Sequence, residues 1–270
     1  MLATQVDWPA ARQAVAAAGP RLTSLLRTAR HPDAPAVGGW DVTGVATHVS
    51  HAVDTIWAMT KGGGDLIDDI WGLSTLTNVL VEGEGRRPLP ELADRIDASV
   101  AGFLDAMEAA ADDGGHSWLV HGTELTLPQL TCHMLNELTV HGRDVALAEG
   151  VPWPIQRTAA VLIVEGFLFP SLHNVGSSMI VPEAAGVRAR MQIHVRGGGT
   201  ACLNFDHGEL TVEPTPLGPV DCHLSVDAAA FLLVAWGRTS QWRPILRGRL
   251  LAWGRKPWLG LRMRGWLRNP

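Results

Sequence analysis

A bundle of amphipathic helices followed by a small α+β domain is the fold class the sequence predicts, and three observations carry it. Apolar residues recur at helical spacing through most of the first 150 positions. Near Val187 the pattern changes to short alternating runs separated by glycine-bearing turns. With 270 residues, the chain also exceeds the size of about 100–200 residues usual for one domain.

Val6, Ala10, Val15, Ala18, Leu22, Leu25 and Leu26 mark a first helix between Val6 and Ala29, with a kink or break expected at Gly19–Pro20. Asp41 is the expected N-cap of a second helix, Val42 to about Met59, which stops before Gly62–Gly64 and carries His48 and His51. The stretch onward to Glu84 reads as irregular or partly helical. Leu89-Pro90-Glu91 opens a third long helix that ends at Asp112–Gly115. A fourth begins after Thr126, with Pro128 in its first turn, and runs to Gly150. Ile155 to about Pro170 forms a fifth helix, either part of the bundle or a bridge. Its apolar stretch, Thr158 to Pro170, is shorter than the roughly 20 residues of a membrane span and contains Glu165, so it reads as a buried helix.

Beyond Val187, RARMQIHV, TACLNF and ELTVEP are joined by GGG and DHG and describe an antiparallel meander. VDCHLSV is a fourth strand leading into a helix at DAAAFLLVAWG, followed by a strand or turn at GRLLAWG and a closing amphipathic helix. The expected division is a helical bundle at 1–152, a connecting helix and linker at 153–186 and an α+β domain at 187–270. No internal repeat or low-complexity segment interrupts it.

The composition, 46% hydrophobic and 18% charged, is globular. A net charge of −5 and the lack of a recognisable binding motif argue against a nucleic-acid partner. The charge is uneven: no acidic residue follows Asp227, whereas nine basic ones do. Trp236, Trp242, Trp253, Trp258 and Trp266 are interleaved with them, a composition suited to an anionic membrane surface or ligand. The preferred expectation is plainer, with the tryptophans filling a small core while the arginines stay solvated. Arg238 and Arg243 are guesses for a clamp on a substrate carboxylate. Cys132, Cys202 and Cys222 show no CxxC spacing, which excludes a thiolate zinc knuckle and a disulfide framework and suits a reducing cytoplasm. MLATQVDWPAARQ lacks the charged and apolar regions of a signal peptide, in line with a cytoplasmic location.

Glu137 and His141, four apart on the fourth helix, project from one face a turn apart and can grip one ion. An exposed ion pair is the plain alternative for such an ExxxH. A third ligand would come from His48 or His133. The stripe His133, Glu137, His141 drifts about 40° around the helix at each step, which hinders convergence, so His48 is preferred. Two histidines and one carboxylate leave coordination positions open, as a catalytic site requires. His51 is a candidate outer donor or a solvent-facing residue. Asp144 could fix the His141 tautomer or pair with Arg143.

The segment W-DVTGVATHV, with Trp40 eight residues before His48, and the segment ELTVHGRDVALAEG resemble the mycothiol-dependent maleylpyruvate isomerase family, within the DinB-like superfamily. The resemblance implies an up-down four-helix bundle and zinc held by His48, Glu137 and His141. It also implies mycothiol as thiol cosubstrate, adding to a small electrophile with isomerisation or S-transfer as the outcome. FDHGELTVEP, DCHLSVDAAAFLLVAWGR and RGRLLAWG resemble the sterol-carrier-protein-like domain that often follows this bundle. The stretch Ile155 to Gly186 matches poorly. Two other functions stay open: a metal-dependent hydrolase that activates water, and a non-enzymatic carrier of an apolar ligand. The ligand types admit iron, nickel and manganese as well as zinc.

Overall fold

The computed structural model describes residues 6–64, 66–111 and 114–269. The start of the segment MLATQVDWPAARQ and part of the expected close of the third helix at Asp112–Gly115 lie outside the described residues. The chain divides into two compact units, Asp7–Ile155 and one beginning at Gln156.

In the first unit, α1 (Trp8–Thr28) leads to a ribbon of β1 (Pro35–Val37) and β2 (Trp40–Asp41), then α2 (Val42–Met59) and α3 (Gly72–Glu84). Next come α4 (Leu89–Ala109), a second ribbon of β3 (Gly115–Ser117) and β4 (Glu124–Thr126), and α5 (Leu127–Ala148). Helix α1 runs unbroken through Pro20, against the expected break. Gly19 serves packing instead, because a Cβ there would stand 3.1 Å from Val100 Cγ1 of α4. Asp41 caps α2 by accepting from the Gly44 N–H at 2.7 Å, and Thr126 with Gln129 forms a capping box on α5. Helix α3 occupies part of the stretch that reads as irregular or partly helical. None of its residues is fully buried, so it has no strong apolar stripe to show in the sequence.

Helix α1 packs on α4 and α5, and α2 packs on the same pair. Helices α1 and α2 therefore face each other diagonally across the bundle, as do α4 and α5, whereas α2 and α4 are neighbours. This arrangement sets α2 beside α5, the two helices that carry His48 and Glu137.

The second unit opens with α6 (Arg157–Ile163), a π-helical turn at Val164–Leu168 and α7 (Phe169–Val175). The π turn lets the helix continue past Pro170, where the sequence reading ended it. This 19-residue stretch, Arg157–Val175, is long and apolar enough to cross a membrane by length and composition, and 56% of its apolar window is buried inside the protein. After it come β5 (Arg188–Val195), β6 (Thr200–Asp206), β7 (Glu209–Glu213), β8 (Cys222–Val226), α8 (Ala228–Ala235), α9 (Trp242–Leu246), β9 (Leu250–Trp253) and α10 (Trp258–Arg262).

The sheet order is β7-β6-β5-β8-β9. The expected meander β5–β6–β7 is antiparallel, while β8 crosses to the far side of β5 and pairs with it in parallel. Strand β9 closes the sheet antiparallel to β8. Met191, Ile193, Leu203 and Leu224 turn to the buried face. The preferred reading of the tryptophans is corrected here: Trp266 is buried, whereas Trp242, Trp253 and Trp258 are exposed. They lie on two five-residue helices and on the last strand of the sheet, at its edge.

Candidate metal centre

Helix α5 is buried along almost its whole length, and three of its polar side chains, His133, Glu137 and His141, follow one another at single turns. A buried carboxylate needs partners, and Glu137 has them on both oxygens. His48 Nε2 of α2 lies 3.4 Å from Glu137 Oε2, and His141 Nε2 lies 3.5 Å from the same oxygen. On the other oxygen, Asn136 Nδ2 donates to Oε1 at 3.1 Å and His133 Nε2 stands 3.5 Å away.

The neighbours of these groups decide which oxygen is left for a ligand. Trp118, in the turn between β3 and β4, has an indole N–H that can only donate, and it donates to His133 Nδ1 at 3.3 Å. The proton of a neutral His133 ring is thereby placed on Nε2, facing Glu137 Oε1. Asp144 Oδ2 lies 3.2 Å from His141 Nδ1, and a proton on that nitrogen would leave the Nε2 lone pair turned toward Glu137. Glu137 Oε2, His48 and His141 thus form one cluster, with His133 and Asn136 behind it.

Each of His48, Glu137 and His141 offers one donor atom within 4.8 Å of the others. Ligands about 2.0–2.1 Å from a tetrahedral zinc ion stand roughly 3.4 Å apart. The distances of 3.4 and 3.5 Å to Glu137 Oε2 fit that spacing. The donor chemistry fits as well. Burial pushes the His48 imidazole below its usual range, toward the neutral form that a metal ion takes. Burial would raise the Glu137 carboxyl, but contacts with His133, His48 and His141 outweigh it and hold the group well below the usual carboxylate range.

Trp40 stacks on His48 with ring centroids 4.8 Å apart and an interplanar angle of 30°. Its indole N–H donates to Asn78 Oδ1 of α3 at 3.0 Å, so both ring and helix face hold the imidazole in place. The spacing of Trp40 and His48 in the sequence acquires a physical reason in this stack. His51 does not join the cluster: its Nε2 lies 3.2 Å from Glu84 Oε2 at the end of α3. Arg238, one of the two guessed substrate clamps, donates to the Trp236 carbonyl at 3.0 Å. Trp118 and Asn136 were missed by sequence reasoning, since their roles arise from a turn and from a neighbour on a helix with no motif around them.

Next to His141, Gly142 lets Trp153 fold back on α5. A Cβ at Gly142 would stand 2.3 Å from Trp153 Cζ2, and the ring is held by its N–H on the Thr139 carbonyl at 3.1 Å and by Arg21 at 3.7 Å above it. Gly142→Ala is therefore expected to destabilise the protein by about 1–3 kcal/mol through overpacking, read as a lower urea midpoint. An unchanged midpoint would mean that Trp153 yields without loss.

The model of the mycothiol maleylpyruvate isomerase N-terminal domain matches residues 11–146, half of the chain and the whole span that carries this cluster. The chain belongs to the mycothiol maleylpyruvate isomerase family. Crystal structures of the mycothiol-dependent maleylpyruvate isomerase and of a point mutant of it each superpose with a TM-score of 0.56 at 12% identity, covering 93% of this chain and 95% of theirs. At that identity the superposition shows a shared fold across both units. No curated protein matches the sequence.

Proposed function

We propose that this member of the family is a divalent-metal enzyme in which His48, Glu137 and His141 hold the ion, zinc in the first instance. The bundle, residues 1–152, would carry the metal, with 153–186 connecting it to a sterol-carrier-like domain at 187–270. The observation that carries the reading is the convergence of two imidazole Nε2 atoms on one oxygen of a buried carboxylate. A divalent ion held there supplies the positive charge that acidifies a thiol from its ordinary pKa of about 8.5, so that a sulfur nucleophile forms near neutral pH.

The remaining residues orient the ligands. Asp144, 3.2 Å from His141 Nδ1, is placed to favour the tautomer with a free Nε2 once a ligand draws the ring into line, His133 and Asn136 aim Glu137 Oε2, and Trp40 shields one face of His48. The chain's own cysteines do not serve as the nucleophile: Cys132, Cys202 and Cys222 are all buried, and burial pushes each thiol up. An external low-molecular-weight thiol, mycothiol, fills that role in a reducing cytoplasm. A cavity of about 260 Å³ beside Trp40 has a mixed lining that includes Asp41, Thr43, Glu82 and Arg86 as well as Val81, and we assign part of the thiol to it.

The sulfur adds to an electrophilic carbon of a small maleylpyruvate-type substrate, and the former double bond rotates. Elimination then releases the isomer and returns the thiol, whereas retention of the new C–S bond is S-transfer. Asp144→Asn tests the arrangement without touching a ligand. It is expected to weaken metal affinity about 10–100-fold while the protein still takes up one ion at saturation, measured by competition with a chelating dye. Unchanged affinity would count against Asp144 as the partner that orients His141.

A further inference from the structure

The last strand of the second unit's sheet bears an apolar and cationic surface that the proposed chemistry does not use. Two of the nine cations after Asp227 are neutralised by carboxylates, Arg249 by Asp227 at 2.6 Å and Lys256 by Asp221 at 3.0 Å. Arg264 turns to the backbone, donating to the carbonyls of Val234 and Leu267. Arg243, Arg247, Arg255 and Arg262 are exposed, and among the described residues none makes an ion pair within 4.0 Å, although Arg255 lies in the field of Asp221.

Large apolar side chains stand among these four arginines: Trp242 and Leu246 on α9, Leu251 and Trp253 on β9, Trp258 and Leu261 on α10, all between 40% and 85% exposed. The three elements adjoin. Gln241 Nε2 donates to the Leu261 carbonyl at 2.9 Å, joining the start of α9 to the end of α10. The Arg249 N–H donates to the Pro244 carbonyl at 2.8 Å, joining α9 to the entry of β9. A Cβ at Gly260 would meet Ala252 Cβ at 2.9 Å, which puts α10 on the face of β9 opposite to Leu251 and Trp253. The apolar set therefore wraps the free edge of the sheet, and the four arginines are carried on the same segments, Arg243 within α9, Arg247 at its end, Arg255 just after β9 and Arg262 in α10.

The geometry points to this edge as a docking site for an anionic lipid surface, its tryptophans and leucines entering the interface while the four arginines meet lipid phosphates. A second copy fits less well, because pairing edge to edge would bring unneutralised arginines together. A nucleic acid would leave Leu246, the most exposed of the six, without an apolar partner.

The test is co-sedimentation of the full chain with vesicles of phosphatidylcholine alone or with one third phosphatidylglycerol, at low and high salt. Binding is expected to the anionic vesicles, to be weak on the neutral ones and to be lost in high salt. Arg243→Gln with Arg247→Gln should weaken it about 25-fold, at about five-fold for each surface arginine. Leu246→Ser should weaken it at low salt as well. These side chains are exposed, and circular dichroism checks that the variants fold. Should a variant fail to fold, the lipid and salt dependence of the unaltered protein still decides. Equal binding to both vesicles, or binding to neither, would overturn the proposal. So would a dimer in sedimentation velocity that Leu246→Asp splits, or tight binding to duplex DNA that survives Leu246→Ser.

Discussion

Omitting the low-molecular-weight thiol is expected to reduce turnover of a maleylpyruvate-type electrophile to the uncatalysed background, a loss of about 10⁶-fold or more at the low end of enzymatic accelerations. The expectation follows from the burial of the chain's own cysteines. All three cysteines are buried with their thiols pushed up, so none offers a thiolate to substrate at neutral pH. The assay is substrate consumption at saturating metal with and without mycothiol, or with a simpler thiol in its place. A hydrolase built on the same three side chains would turn over at an unchanged rate without any thiol, and that result would replace the thiol reading with a water-activating one.

The second large effect separates the two histidines that compete for the third ligand position. His48→Ala is expected to abolish tight metal binding and, with it, thiol-dependent turnover, because only Glu137 and His141 would remain. His133→Ala should keep a stoichiometric ion and weaken affinity about 10–100-fold, since it removes a group that aims Glu137 through the oxygen facing away from the cluster. Metal content and affinity of the two variants, measured side by side, read the difference. A His133→Ala protein without metal next to a His48→Ala protein that retains it would reverse the assignment.

Much of this site was legible in the sequence because helix geometry is local. Glu137 and His141 are four apart on a segment bounded by Thr126 and Gly150, and that spacing alone puts them on one face. His48 needed more, since its proximity to Glu137 depends on α2 packing against α5, a long-range contact that no spacing encodes. Its preference over His133 rested on helix drift and on the resemblance carried by Trp40. The structure adds the reason, a tryptophan ring stacked on the imidazole. Trp118 could not be read at all, because it reaches His133 from a turn between two three-residue strands.

The fold divides in the same way. The caps at Asp41 and Thr126 and the meander β5–β6–β7 followed from local patterns, whereas the parallel return of β8 beside β5 did not. Helix α3 is only half legible, as a partly helical stretch, because it buries no residue completely, and the tryptophans read as core because composition does not tell an inner face from a sheet edge. Pro20 and Pro170 show the reverse error. The sequence predicts a kink or break at Gly19–Pro20 and a helix end near Pro170, yet both prolines lie within helices, Pro170 just after a π turn.

The central claim is that His48, Glu137 and His141 hold one catalytic ion, and elemental analysis of the purified protein beside its His141→Ala variant tests it most directly. About one divalent ion per chain is expected in the unaltered protein and little in the variant, with both equally folded by circular dichroism. A variant that retains the same metal content as the parent would contradict the site.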